Sequence, residues 1–340
     1  MFSRVFLALL ALLVAVAVPS VASAQRFTLI GENDALGNGK DRDYTQGLRF
    51  SVTFDDFTRH PTAGRVYDVV GMGLFTPFSI AGPVKKQLEW IPVGQSIFTP
   101  DRISSRLPRI PGVERPFAGW LYTGVSAMQE TGGRQLDTFE ILAGVVGPAA
   151  LGKETQDAFH QLLGQGRPFV GNFRLKNEPG IVLSWDRKWK FGSDLGGGYG
   201  IDFIPSVGFS GGNVYTYGSV GGMVRFGSSL SSTWGPTRIR PSPSGGTFFS
   251  PDPNGPWLGW NVFAGVEARA VALNVFLDGN NFQNSLSVSR KTFVADFIGG
   301  IELYTQTGHR LAFSVTHRTK EYDTQPAATT FGAIEASYRF

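Results

Sequence analysis

The chain has 340 residues, a formal net charge of +4 at pH 7, 44 Gly, 28 Phe and no Cys. A basic excess this small does not indicate a nucleic-acid partner, and the absence of cysteine excludes disulfides and thiolate metal sites. Because no repeat of about 20 to 50 residues recurs and no polar linker divides the chain, we expect one domain.

The N-terminus has the features of a secretory signal. Arg4 precedes an apolar run from Val5 to Val18, and the small residues of 22–24 follow as a cleavage site. We therefore predict a signal peptide over residues 1–24 and a mature chain that begins at Gln25. No later stretch is long and apolar enough for a membrane helix, so the mature protein is either soluble in an exported compartment or a membrane barrel.

Two polar clusters follow early in the mature chain. Glu32-Asn33-Asp34 comes after the first candidate strand, and the segment 41–45 opens the second. Both are rich in oxygen ligands that suit calcium, although Asn, Asp and Gly also occur in ordinary turns. Strand alternation over 48–54 places Thr45 on the same face as Arg49, so we predict that its hydroxyl points into a polar interior.

One segment is convincingly helical. Residues 147–164 form a helical pattern, which we assign to a loop helix near 150–164, and Gln156 and His160 lie four positions apart within it. This spacing puts both residues on one helix face. The other three histidines, in contrast, fall in candidate turns or near a strand end.

Most of the remaining chain alternates between apolar and polar residues. At the C-terminus, Ile334, Ala336, Tyr338 and Phe340 share one face of a strand, and similar period-two patterns occur at 48–54, 181–190 and 311–316. A soluble β-sandwich or periplasmic barrel would also alternate. However, the terminal aromatic Phe340 resembles the sorting signal of bacterial outer-membrane barrels, so we predict an all-β, transmembrane antiparallel β-barrel from a Gram-negative bacterium.

The candidate loops are rich in Pro, Gly, Ser and Asn. The segment from Thr233 to Pro256 is predicted to be a long external loop, and Asp278–Asn284 and Lys320–Thr330 are predicted to be shorter loops. Long loops at one end and tight turns at the other are typical of outer-membrane barrels.

Five ordered motifs resemble those of the outer-membrane lipid A 3'-O-deacylases. The resemblance is strong in the first half of the chain, and beyond about residue 190 it consists of strand pattern and the terminal aromatic residue. The motifs are Glu32-Asn33-Asp34, Asp43-Tyr44-Thr45-Gln46-Gly47-Leu48, Gln95-Ser96-Ile97-Phe98-Thr99-Pro100, the segment 115–124, and the segment 147–152 with Gln156 and His160.

This resemblance implies a barrel of about twelve strands with its active site near the outer rim, between the wall and a loop helix. The implied reaction is calcium-dependent hydrolysis of the ester that joins the 3'-linked acyloxyacyl chain to lipid A. The family's essential positions fall on Asn33, Asp34, Thr45, Gln156 and His160, and all five identities are retained.

The residue types also suit this chemistry. A neutral imidazole at His160 is the group best matched to removing a proton from water. Because the chain has no cysteine and no GxSxG motif, direct attack by water is favoured over a covalent acyl-enzyme. Calcium near Asn33 and Asp34 would polarise the carbonyl. Thr45 and Gln156 would donate hydrogen bonds to the oxyanion or position the water, and the sequence does not decide between these roles.

Arginines are expected to bind the lipid A phosphates. Arg102, Arg106 and Arg115 lie in or beside the loop after Pro100, and guanidinium groups suit phosphate oxygens, although ordinary rim arginines that face lipopolysaccharide are an alternative. The family's lysine five positions after that proline is Ser105 here, so Arg102 or Arg106 would take its place.

A second departure from the family concerns the metal. The acidic residue expected six positions after the histidine is Gly166. Either calcium ligands in addition to Asn33 come from Glu32, Asp34, Glu178 or backbone carbonyls, or calcium is bound more weakly.

Two other functions are consistent with the sequence. One is a calcium-dependent outer-membrane phospholipase, and the other is a non-catalytic barrel that serves as a pore or a surface protein. In each case we expect a monomer in the bacterial outer membrane with no nucleic-acid partner.

Overall fold

The computed structural model describes residues 26–36, 43–71, 80–100, 111–162, 173–239, 241 and 247–340. The predicted signal peptide lies outside these residues. In the described part of the chain, no helix is both long and apolar enough to cross a membrane.

The described residues are mostly β-strand. The strands are β1 (Arg26–Asn33), β2 (Asp43–Phe54), β3 (Val84–Thr99), β4 (Ala118–Thr131), β5 (Gln135–Val146), β6 (Glu178–Trp189), β7 (Phe191–Gly196), β8 (Tyr199–Gly212), β9 (Tyr215–Ser228), β10 (Leu258–Asn274), β11 (Phe293–Thr305), β12 (Arg310–Arg318) and β13 (Thr329–Arg339). The α-helices are α1 (Pro61–Gly71), α2 (Gly152–Leu162) and α3 (Val275–Asp278).

These strands form a closed antiparallel barrel. Consecutive strands pair with each other except β6 and β7, and β1 also pairs with β13. The strand segments β6 and β7 flank Lys190 and both pair with β8, so together they form one wall strand. The described residues therefore form a twelve-stranded antiparallel β-barrel, which confirms the predicted fold class. Closure leaves no long unpaired edge, which is the condition for crossing lipid with strands.

The two ends of the barrel carry different connections. We call the end near Arg26 and Arg339, which are paired, the lower rim. The opposite end, the upper rim, is where β1, β3, β5, β8, β10 and β12 end and where the connections that follow them begin. The helix predicted near 150–164 is α2, and it belongs to one of these upper connections.

Alternation along the strands sorts apolar side chains outward and polar side chains inward. On β13, Ile334 and Tyr338 are exposed to the surroundings of the barrel, whereas Glu335 and Ser337 are buried inside it. The same sorting separates exposed Leu48 from buried Arg49 on β2. The predicted two-sided wall is thus present in both halves of the chain.

Described residues of the segment between β9 and β10, within 233–239 and 247–249, lie inside the barrel, so the prediction that Thr233 to Pro256 form a long external loop is wrong. The segment leaves β9 and joins β10 at the lower rim, and between these two points it folds inward. There Thr237 donates its backbone N–H to Glu335 (2.9 Å), and Arg238 pairs with Glu32 (3.0 Å). Its richness in Pro, Gly and Ser predicts a loop. Composition does not predict the location of the loop, which depends on hydrogen bonds to inward-facing carboxylates of the wall.

Buried ion pairs cross the barrel interior. Arg49 contacts both Glu89 (2.9 Å) and Glu140 (3.0 Å), and Arg225 contacts Asp202 (2.5 Å). All of these side chains are almost fully buried. Because a charge at such a depth is costly without its partner, these pairs constrain which strands can be neighbours.

We predict that Arg49→Ala destabilises the barrel by about 3–5 kcal/mol, because it leaves two buried carboxylates without their cation. The measurement is urea unfolding of the barrel refolded in detergent micelles. The control is Arg59→Ala, which breaks the exposed Arg59–Asp56 pair (3.2 Å) and should change the free energy of unfolding far less, because solvent screens an exposed pair. Equal effects of the two variants would contradict the prediction.

Candidate functional site

A row of outward-facing residues crosses four strands at the upper rim. The strand register places Asn33 opposite Gln46, Gln46 opposite Ile97, and Ile97 opposite Gly119. We call these four residues the outer row. Because neighbouring strands lie about 4.8 Å apart, Asn33 and Ile97 are separated by roughly 10 Å across the wall.

The helix α2 begins directly on one end of the outer row. A Cβ atom built on Gly119 would lie 3.3 Å from the Cα of Gly152, and one built on Gly152 would lie 3.6 Å from Cγ1 of Ile97. Gln95 fixes the turn before the helix, because its Nε2 donates to the backbone oxygen of Ala150 (2.7 Å). The absence of a side chain at Gly119 therefore lets the helix approach the outer wall closely.

Gln156 lies one turn beyond Gly152, on the helix face that begins against the wall. Its side chain is 1% exposed, and neither Oε1 nor Nε2 has a hydrogen-bond partner among the described residues. Buried amides are normally paired, and leaving one unpaired costs free energy. This amide therefore has its full hydrogen-bonding capacity available to a ligand.

His160 follows Gln156 by one further turn of α2. Both positions belong to the helix, so their backbones are one helical turn apart, as the sequence predicts. The His160 side chain lies outside the described part of the structure.

Thr45 lies at a β-bulge where β2 pairs with β3. The register shifts between Tyr44 and Gln46, and Tyr44 is the residue that points inward, since its hydroxyl donates to Glu32 (2.7 Å). The strand alternation used to predict an inward Thr45 therefore does not extend across the bulge. Instead, the Thr45 hydroxyl is hydrogen-bonded to that of Thr99 (2.6 Å).

Thr99 continues the outward side of β3. Its neighbour Phe98 points inward and stacks on Phe276, while Gln95 and Ile97 on the alternate face contact the α2 segment. Both members of the Thr45–Thr99 pair are almost fully buried. The pair thus lies next to the outer row, on the side of the wall that carries the helix.

Asn33 and Asp34 lie at the other end of the outer row. Asn33 is the last residue of β1, and Asp34 begins a 3₁₀ turn that ends at Leu36. Leu36 lies against Gly332, which is the partner of Asn33 in β13. The turn therefore folds onto the outer wall and encloses the row on the side opposite α2.

Comparison with known proteins identifies the family of this chain. The model of a family described as "Outer membrane protein LpxR" matches residues 5–340. The chain belongs to the LpxR family. Its motif resemblance to the lipid A 3'-O-deacylases is therefore confirmed, and family membership supports lipid A deacylation, a hydrolase activity, in the bacterial outer membrane.

One solved structure agrees at the level of the fold. LpxR from Salmonella typhimurium is 21% identical and has a TM-score of 0.71, with 93% of this chain and 100% of that chain covered. The β domain of the Bordetella autotransporter BrkA is 10% identical, has a TM-score of 0.44 and is covered over 99% of its length, against 94% of this chain. A search of curated proteins found no match.

The two glutamates predicted as calcium ligands are engaged elsewhere. Glu32 points into the barrel, where it accepts hydrogen bonds from Tyr44, Arg238 and the backbone of Ile239. Glu178 accepts from the backbone and side chain of Asn281 and so joins two upper connections. The structure therefore does not bring either carboxylate to the outer row.

The predicted phosphate-binding arginines are in different situations. Arg102 and Arg106 lie outside the described residues. Arg115 is 0% exposed, with its guanidinium 4.7 Å from the centre of the Phe98 ring and 3.6 Å from Glu321. In this position Arg115 faces the barrel interior, and its predicted contact with substrate would require it to move.

Within the described residues, no group of three or more His, Asp or Glu side chains is suited to hold a metal. Oxygen donors are nevertheless present at the outer row in the amide of Asn33 and the carboxylate of Asp34. Calcium binds carboxylate, amide and backbone oxygens, so the oxygen donors of Asn33 and Asp34 fit calcium. Only one of these two residues is acidic.

Sequence reasoning missed three residues that shape the site. Thr99, Gln95 and Gly119 all belong to the quoted motifs, but none of them is a conventional catalytic group in isolation. Their roles come from pairing across strands and from contact with a helix more than 30 positions away from Gly119. Only the motif membership could have pointed to them.

We predict that Gly119→Val displaces the start of α2, because the new side chain would meet Gly152 and Ala150 on the outer wall. Amide hydrogen exchange followed by mass spectrometry should show faster exchange in 152–159. Gly31→Val is the control, since a Cβ at this outward position on β1 has no atom within 4 Å. Unchanged exchange in Gly119→Val would refute the proposed seating of the helix.

Proposed function

We propose that this chain hydrolyses the ester that joins the 3'-linked acyloxyacyl chain to lipid A in the outer leaflet. The observation that carries the proposal is the buried, unpaired amide of Gln156 on a helix seated against the outer wall. A site on the outside of a barrel is open to lipid that diffuses in the membrane plane. We place this site, at the upper rim, at the boundary between acyl chains and sugar head groups.

In the proposed reaction, His160 acts as general base. Ester hydrolysis needs a proton removed from the attacking water, and an imidazole has the pKa suited to this near neutral pH. Gln156 is one helical turn away. The amide Nε2 of Gln156 would donate to the oxygen of the ester carbonyl as negative charge develops there.

Thr45 is proposed as the second polar group at the reacting ester. Its hydroxyl shares a hydrogen bond with Thr99 (2.6 Å). When Thr99 is the donor, the proton of Thr45 is free to point toward substrate. When Thr45 is the donor, its oxygen remains as an acceptor that can position the water.

Calcium is proposed as the cofactor. Asn33 and Asp34 would hold it, together with backbone oxygens, and a bound calcium ion supplies electrostatic stabilisation of the developing oxyanion. Since Glu32 and Glu178 have other partners, we expect this site to contain fewer carboxylates than a tight calcium site. Low charge at the site predicts modest calcium affinity.

Arg102 and Arg106 remain our candidates for the phosphates of lipid A. Both belong to the connection that leaves β3 directly after Thr99. Guanidinium groups there would neutralise phosphate and orient the disaccharide relative to the ester.

Of the alternatives, the pore receives the least support. Described residues of the segment between β9 and β10 lie in the interior, and wall arginines bind their backbone oxygens, as in the bond from Arg26 to Phe249 (3.1 Å). An outer-membrane phospholipase would use the same groups on a different ester, so the two activities are distinguished by identifying the products.

We propose a monomeric enzyme.

The first test uses purified protein in detergent with lipid A and calcium, and mass spectrometry of the products. We expect release of the 3'-acyloxyacyl group, and we expect a chelator or His160→Ala to abolish it. His60→Ala, which changes a histidine at the lower rim, should leave release unchanged. Products from phospholipid but not from lipid A would favour the alternative enzyme.

The second test separates catalysis from stability at Gln156. Gln156→Leu should lower kcat by about 10²- to 10³-fold, the usual effect of losing one oxyanion donor, with little change in KM. Because the amide is buried without a partner, the same variant should unfold at an equal or higher urea concentration. A variant with wild-type kcat would remove Gln156 from the mechanism.

A further inference from the structure

The residue that starts β2 has an unusual backbone conformation. Asp43 has a φ of 64°, in the left-handed region that residues other than glycine rarely adopt. It is 1% exposed and lies two positions before Thr45. Such a conformation persists only where the surrounding structure holds it, and it is often found at functional sites.

The connection between β12 and β13 holds the Asp43 carboxylate. Tyr322 donates its hydroxyl to Oδ1 (3.0 Å), and Gln325 Nε2 donates to Oδ2 (2.9 Å). Thr329, the first residue of β13, also donates to Oδ2 (3.1 Å). Three donors from one segment of the chain therefore fix a single carboxylate, and we call Tyr322, Gln325 and Thr329 the Asp43 clamp.

The segment that carries the clamp is itself attached to its neighbours. The backbone N–H of Lys291 donates to the oxygen of Glu321 (2.8 Å), and that of Asp323 donates to Ser289 (3.0 Å). Thr324 donates its hydroxyl to the backbone oxygen of Val113 (2.6 Å). These bonds tie the segment to two other upper connections, so it provides a fixed support for Asp43.

Burial, and then the charge of Asp43, raise the pKa of the Tyr322 phenol well above its ordinary value. The phenol therefore stays protonated and remains a hydrogen-bond donor over the whole physiological pH range.

We propose that Asp43 is a positioning residue for the reaction and that the Asp43 clamp sets the place of Thr45. The chain is held on both sides of the bulge, by the clamp at Asp43 and by the hydroxyl pair with Thr99 at Thr45. Neither hold involves the helix α2. This inference rests on the proposed function, because it assigns a purpose to the site that contains Thr45.

The test measures kcat and KM of the full-length protein on lipid A. We expect Asp43→Asn and the double variant Tyr322→Phe with Gln325→Ala each to lower kcat by about ten- to hundredfold, as a misplaced group does, while KM changes less than about twofold. The control is Asp323→Asn, which alters the exposed pair with Lys291 (3.0 Å) in the same segment and should leave both constants unchanged.

Asp43→Gly separates backbone strain from the clamp. Glycine adopts a φ of 64° without penalty but has no carboxylate, so we expect the same loss of kcat as in Asp43→Asn. Wild-type kcat in Asp43→Gly would overturn the inference, and so would wild-type kcat in the double variant.

Amide hydrogen exchange of residues 43–47 gives a readout that does not depend on activity. Exchange should be faster in Asp43→Asn and in the double variant than in wild type, while exchange in 152–159 of α2 stays unchanged. If wild-type protein releases no acyl group, the proposed function fails, and exchange still tests the clamp. If exchange in 43–47 is the same in these variants as in wild type, the proposed role of the Asp43 clamp is refuted. This holds even if the variants lose activity.

Discussion

The close contact between Gly119 and Gly152 is the interaction on which the candidate site depends. Two glycines meet there, so the backbone of α2 lies directly on the outside of the wall with no side chain between them. Gln156 is then carried one helical turn along the wall, where it is buried with both polar atoms unpaired. A larger spacing would leave the same amide open to solvent, and it would lose its value as a donor in a dry environment.

The interior and exterior of the barrel have opposite roles. Inside, charged side chains from the wall are paired with one another and with the segment that enters from the lower rim, as in the contact of Arg238 with Glu32. Burying these charges has a large desolvation cost, but their pairing favours one arrangement of the strands. Outside, the exposed side chains of the described strands are mainly apolar, and at the upper rim Gln46 and Asn33 interrupt this surface. Polar groups in that position are understandable if a substrate from the membrane binds them.

Much of the architecture could be predicted from local sequence. Alternation over a period of two follows from the geometry of a strand with lipid on one side, so the all-β barrel was evident from residues 48–54 and from the C-terminal strand. The helix containing Gln156 was evident because its period differs. The motifs also identified the family, which the match over residues 5–340 confirms. The prediction failed for Thr233 to Pro256, since a flexible composition says nothing about which side of the wall a loop occupies.

The site required information that no local pattern contains. Strand alternation assigns successive residues to opposite sides of the wall. A one-residue bulge at Thr45 breaks this alternation, so the side assigned from residues 48–54 does not apply to Thr45. Likewise, Glu32 and Asn33 are adjacent in the chain but belong to opposite sides of the wall, so one binds Arg238 and the other joins the outer row. Sequence by itself determined that the chain crosses a membrane as strands and which family motifs it carries. Only the tertiary structure decided which of those polar residues share one face, because facing depends on register, bulges and helix contact between segments far apart in the chain.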